Sequence, residues 1–143
     1  MLNGIVCHPA QPLLLIGSQG KGGTLWRADM GTGTARPVDL GGYDFNADGM
    51  LLDDDILYGV TYRGTYAGGD IRNMISVVRL APDWESGSEL GELADERWLT
   101  PTTIAKIGEE LLVVCSQFGA SRLKVPPTLP FTVAASEFPS WKP

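Results

Sequence analysis

Residues 44–60 read Asp44-Phe45-Asn46-Ala47-Asp48-Gly49-Met50-Leu51-Leu52-Asp53-Asp54-Asp55-Ile56-Leu57-Tyr58-Gly59-Val60. An acidic residue and a glycine lead into a short aliphatic run, three aspartates interrupt it, and a second apolar run follows. The same plan stands 45 residues earlier as Asn3-Gly4-Ile5-Val6, followed by Pro12-Leu13-Leu14-Leu15-Ile16 with a one-residue slip. It returns 54 residues later as Thr102-Thr103-Ile104-Ala105 and Glu110-Leu111-Leu112-Val113-Val114. The longer second offset matches a Gly- and Tyr-rich insertion over residues 63–73.

Working outward, extended runs recur at 5–7, 13–16, 24–28, 35–40, 50–52, 56–62, 74–80, 89–93, 103–107, 111–117 and 131–135. Gly and Pro punctuate them; 18 Gly and 10 Pro make up nearly a fifth of the 143 residues. Helical periodicity is nearly absent, with one short turn near 94–98 as the only helix candidate. Short strands between turn residues predict an all-β chain. A unit of roughly 40–50 residues with four short strands is the signature of a propeller blade, because one twisted sheet cannot bury both faces alone. The units fall at about 1–44, 45–98 and 99–143. Residues 1–143 therefore read as a single domain, a partial β-propeller of about two and a half to three blades. Six units at this period would need roughly 270 residues, so the chain is about half a ring, with apolar end faces that something must cover.

Charge narrows the function. Lys plus Arg number 11 against 17 Asp plus Glu, giving a net charge of −6. Such a chain repels phosphate backbones, so no nucleic-acid partner is expected. No apolar run approaches the ~20 residues that span a bilayer, so no membrane partner is expected either. No basic segment followed by an apolar stretch opens the chain, which predicts a cytoplasmic protein, with a secreted parent left open. Cys7 and Cys115 sit in apolar runs without metal-ligand spacing and read as buried thiols.

Asn3 and Asp48 occupy the same place in their units, each before a Gly at the entry to a first strand. In a propeller that strand is innermost, so their oxygens would converge on the axis and suit a hard cation such as Ca²⁺. Alternatively, Asn-Gly and Asp-Gly are turn dipeptides, with Gly supplying positive φ. Residues 44–55 also match the opening of an EF-hand loop, but Asp55 at its twelfth position is too short, and β-like flanks replace the helices. The Asp53-Asp54-Asp55 run reads as a hairpin turn. His8, before Pro9, reads as a turn residue. Ser18 and Ser116 lack a nucleophile elbow, and one His makes a Ser-His-Asp triad untenable. Residues 17–23, with Lys21, read as a hairpin loop, since no helix follows to cradle a phosphate. Tyr62, Arg63, Tyr66 and Arg72 read as a surface insertion or, alternatively, as the mouth of the channel. Trp26, Trp84 and Trp98 read as packing or surface anchors. Gln117 and Phe118 have no assigned role.

The series Asn3-Gly4-Ile5, Ala47-Asp48-Gly49-Met50 and Pro101-Thr102-Thr103-Ile104 resembles the senescence marker protein, gluconolactonase and luciferin-regenerating enzyme family, over that family's C-terminal half. The resemblance implies a six-bladed propeller and metal-dependent hydrolysis of small lactones or esters. It implies that Asn3 and Asp48 are ligands of a divalent metal, Ca²⁺ or Zn²⁺, and that Asp48 is also the general base. The family's third protein ligand, a Glu of its first blade, has no counterpart in these residues. The expectation is thus a fragment or half-ring of lactonase type, with a homodimer as one way to complete the ring. The alternative is a non-catalytic propeller module for interaction or assembly.

Overall fold

The computed structural model describes residues 1–20, 22–64 and 70–139. Tyr66 and Lys21 lie outside the described residues. Among the described residues, eleven strands and one short helix follow in the order β1 (Leu2–Cys7), β2 (Leu13–Ser18), β3 (Leu25–Asp29), β4 (Thr34–Pro37), β5 (Met50–Asp53), β6 (Ile56–Arg63), β7 (Arg72–Leu80), β8 (Gly87–Leu93), β9 (Pro101–Ile107), β10 (Glu110–Cys115), α1 (Phe118–Leu123) and β11 (Thr132–Glu137). They form three antiparallel sheets, each an up-and-down meander: β1-β2-β3-β4, β5-β6-β7-β8 and β9-β10-β11. No sheet closes on itself. Among the described residues, no helix is long and apolar enough to cross a membrane.

The sheets stack, and the sequence explains the order. In β6 the run Ile56 to Thr61 is buried throughout, as a strand covered on both faces must be. Its alternate residues serve two separate cores. Leu57 joins Leu15, Leu25, Phe45 and Val78 between the first and second sheets. Ile56, Tyr58 and Val60 join Val77, Ile104, Leu111 and Val113 between the second and third. Residues 38–47, after β4, fill the first of these cores with Val38, Leu40, Phe45 and Ala47. The Asp53-Asp54-Asp55 run is the β5–β6 hairpin, with Asp54 at φ 53. Asp53 leaves that hairpin to take both carboxylate contacts of Lys106, at 2.8 and 2.9 Å, tying the second sheet to the third.

The outer faces of the stack are different. In the first sheet, cross-strand register puts Ile5, Leu14, Ile16, Trp26 and Ala28 on the side turned away from the core. In the third, Ala105, Leu112, Val114 and Val133 share the outward side. Ile5 is 56%, Ile107 63% and Val133 58% exposed. An exposed sheet face in a self-sufficient domain is polar at alternate positions; both of these are apolar.

Two expectations are corrected. Cys7 is exposed and only Cys115 is buried, both as free thiols, because Cys7 pairs with Leu14 on the uncovered face. The helix is at Phe118–Leu123; residues 95–98 form a turn, in which Trp98 N–H donates to Asp95 carbonyl.

Candidate functional site

The site lies where the first strands of the three sheets begin. β1, β5 and β9 are neighbours in space, and the reason is glycine. A Cβ on Gly4 would overlap the Asp48 carbonyl oxygen, and a Cβ on Gly49 would come within 2.6 Å of the Thr102 carbonyl and Thr103 Cα. Neither glycine has positive φ. The turn-dipeptide reading of Asn3-Gly4 and Asp48-Gly49 is therefore corrected: these glycines allow backbones to touch. Gly49 N–H donates to Thr102 carbonyl at 2.8 Å, and Asp48 N–H to Val60 carbonyl at 2.8 Å. The entries Asn3-Gly4, Asp48-Gly49 and Thr102-Thr103 are thus locked in one line across the stack.

That line brings Asn3 and Asp48 together, with a third residue between them. Asn3 Nδ2 donates to Gln19 Oε1 at 3.0 Å. The Asp48 carboxyl is half-buried. Burial pushes its pKa above the usual 3.8, and hydrogen bonds from the Gln19 and Asn3 side chains pull it part of the way back. Gln19, at the end of β2, is itself pinned through its backbone, exchanging hydrogen bonds with Met1 at 2.7 and 2.8 Å. Next to it, Gly20 N–H donates to Asn46 Oδ1 at 3.0 Å, which ties the β2–β3 loop to the approach to Asp48.

A cavity of about 70 Å³ opens beside Asp48, lined by Gln19, Thr61, Tyr62, Asn73, Thr100, Thr102, Phe118 and Arg122. Behind it lies a buried hydroxyl chain. Tyr43 Oη donates to Ser76 Oγ at 2.8 Å, and the Ser76 and Thr61 hydroxyls share a 2.8 Å bond. Past Thr100 the cavity adjoins a groove of about 340 Å³ between α1 and the start of β7.

Of the residues singled out in the sequence, Asn3 and Asp48 meet, and Tyr62 lines the cavity. Arg63 pairs with Glu92 at 3.0 Å, and Arg72 sits opposite it in β7. His8 accepts the Ala10 and Gln11 amides on Nδ1 and packs against Trp84, so it serves a turn. Ser18 Oγ accepts Thr24 N–H inside its hairpin, and Ser116 Oγ donates to Thr100 carbonyl. Sequence reading missed Gln19, Asn73 and Arg122. A signal for Gln19 existed: Ser18-Gln19 and Ser116-Gln117 both stand where the chain leaves the second strand of its sheet.

Of the oxygens at Asp48, only its own carboxylate suits a hard cation as placed: the Asn3 and Gln19 amides turn N–H groups towards it, and Gln19 Oε1 accepts from Asn3 Nδ2. Among the described residues, no group of three His, Cys, Asp or Glu side chains could hold a metal ion. No protein-family model matches the chain, and no curated protein matches it either.

Proposed function

We propose that the three sheets are consecutive blades of an incomplete six-bladed β-propeller of senescence marker protein and gluconolactonase type. In this reading Asn3 and Asp48 are the share of a divalent-cation site that this chain contributes, and the reaction is hydrolysis of a small lactone or ester. One observation carries the reading: the three strand entries lie in line, Gly4 on Asp48 and Gly49 on Thr102, so equivalent residues of successive sheets converge at one end. Meander sheets whose first strands are neighbours are what blades around an axis require.

The cation, Ca²⁺ or Zn²⁺, would be held by the Asp48 carboxylate and the Asn3 amide oxygen. Bound there, it supplies polarisation of the ester carbonyl and a lower pKa for water. Asp48 accepts the proton from the attacking water. Gln19 and Asn3 orient the carboxylate. Thr61, Asn73 and Arg122 line the space where the ring oxygen and carbonyl would sit.

Hydrolysis of γ-butyrolactone followed by pH-stat, with and without EDTA, tests this. The chain should hydrolyse it in Ca²⁺ or Zn²⁺ and lose at least a hundredfold in Asp48→Asn, the scale of a general base. Hydrolysis that survives both EDTA and Asp48→Asn would sink the reading.

The two apolar end faces favour a second reading, a non-catalytic assembly module. Its discriminating result is a stable assembly of copies that neither binds metal nor turns over lactone. A homodimer that closes a ring of six sheets fits either reading.

A further inference from the structure

The cavity at Asp48 and the groove of about 340 Å³ beside α1 lie next to each other, with Asn73 and Thr100 in the walls of both. The two compartments differ in chemistry. Asp48, Gln19, Thr61 and Arg122 line the first. Ile71, Leu99, Leu123, Val125 and Pro126 wall the second. Leu99, Leu123 and Val125 are among the exposed large hydrophobics. Exposed apolar residues are ordinary singly, but here they converge on one trough of the size that takes a small molecule.

The trough is built rather than left over. Gln117 is buried, and its side chain donates to Thr128 carbonyl and accepts from Thr128 N–H, both at 2.7 Å. That clamp fixes the segment carrying Val125 and Pro126. Thr100, at φ 49, accepts Ser116 Oγ on its carbonyl and Gly119 N–H on its Oγ1. It therefore holds α1 against the entry to β9, at the point where cavity and groove meet.

We infer that the groove beside α1 receives an alkyl chain, so that the substrate class is a lactone or ester with an aliphatic tail, its carbonyl at Asp48 and its tail against Leu123 and Val125. The assignment of the carbonyl rests on the reading of Asp48 given above; the groove as an alkyl site does not. A polar sugar lactone would leave these walls wet, whereas an aliphatic tail removes them from water.

The test is isothermal titration of γ-butyrolactone, γ-octalactone and γ-dodecalactone into the full chain, beside the alkanols 1-octanol and 1-dodecanol. Affinity should rise about two- to fourfold per methylene in both series. Leu123→Lys and Val125→Lys, both on exposed side chains, should flatten that rise and leave γ-butyrolactone unchanged. Chain-length dependence in both series, flattened by either Lys variant, supports the groove. If, in addition, no lactone outbinds the alkanol of like length, the groove stands and the lactone reading of Asp48 falls. Affinity independent of chain length overturns the groove, even where γ-butyrolactone is hydrolysed. Dependence that survives both Lys variants overturns it too, as does a change of oligomeric state in those variants that accounts for the loss.

Discussion

At the residue scale, the packing of the sheets turns on Gly4 and Gly49. The sequence marked both positions through their place in the repeat, but a glycine after Asn or Asp has two physical uses, and the dipeptide does not distinguish them. One is positive φ; the other is room for a neighbouring backbone. Only the packing of β1 on β5 and β5 on β9 decides for the second. Gly49→Ala should therefore cost about 3 kcal/mol, since the added methyl meets backbone rather than a flexible side chain. Urea unfolding measures it; without a close approach Ala would be the more stable residue by about 0.5–1 kcal/mol, so a gain, or no loss, would contradict it. That Asn3 and Asp48 come together was legible for the same reason, as equivalent positions in a repeat. Gln19 had a signal that went unused, the repeated Ser-Gln pair; Asn73 and Arg122 had none, because each reaches the cavity from near the end of an element whose place only the folded stack defines. Cys7 was misread because alternation along a strand shows that it has two faces and not which one is covered.

At the scale of elements, the strands were legible because period-two alternation and turn residues agree along nearly the whole chain. The helix was not. α1 has six residues, no side-chain N-cap bond and no acidic residue in its first turn. Nothing local announces it, and tertiary contacts at Thr100 and Gln117 hold it in place. Gln117→Ala removes both bonds to Thr128 and should loosen α1 and residues 124–128 by about 2 kcal/mol. Hydrogen exchange would show the loss in α1 amides with the β6 and β7 amides unchanged. Uniform loss across both would mean that the clamp supports the whole stack.

The turn read as a helix at 94–98 is instead fixed by charge. Arg97 holds the Asp95 carboxyl down to about 2, from 3.8, and Asp95 also reaches Ser136 Oγ in β11 at 3.4 Å. Because the folded value lies below the unfolded one, the bond's contribution is complete above pH 4 and fades as pH falls towards 2. Asp95→Asn should lower the urea midpoint at pH 7 and leave it unchanged at pH 2. An equal drop at both would assign the loss to packing rather than to charge.

At the scale of the molecule, the stack has a covered middle and two uncovered apolar faces. In the second sheet β6 and β7 are buried on both faces, while Ile16 and Trp26 at one end and Val114 and Val133 at the other turn apolar surface outward. Repeat arithmetic, with about three units, also led to the expectation of uncovered apolar faces at both ends. If two copies complete each other, sedimentation should give a dimer at micromolar concentration, and Ile16→Glu should return it to monomer without lowering the first core's packing. A folded, well-behaved monomer of the wild-type chain would argue against pairing.

The central claim is that the aligned strand entries make Asn3 and Asp48 part of a cation site. Isothermal titration of Ca²⁺ and Zn²⁺ into the purified chain, with its solution mass recorded, tests it most directly. The account predicts binding of one of them at about 10⁻⁵ M, within the range of oxygen-ligand sites, and its loss in Asp48→Asn. No binding of either ion, or an affinity unchanged by Asp48→Asn, would contradict it.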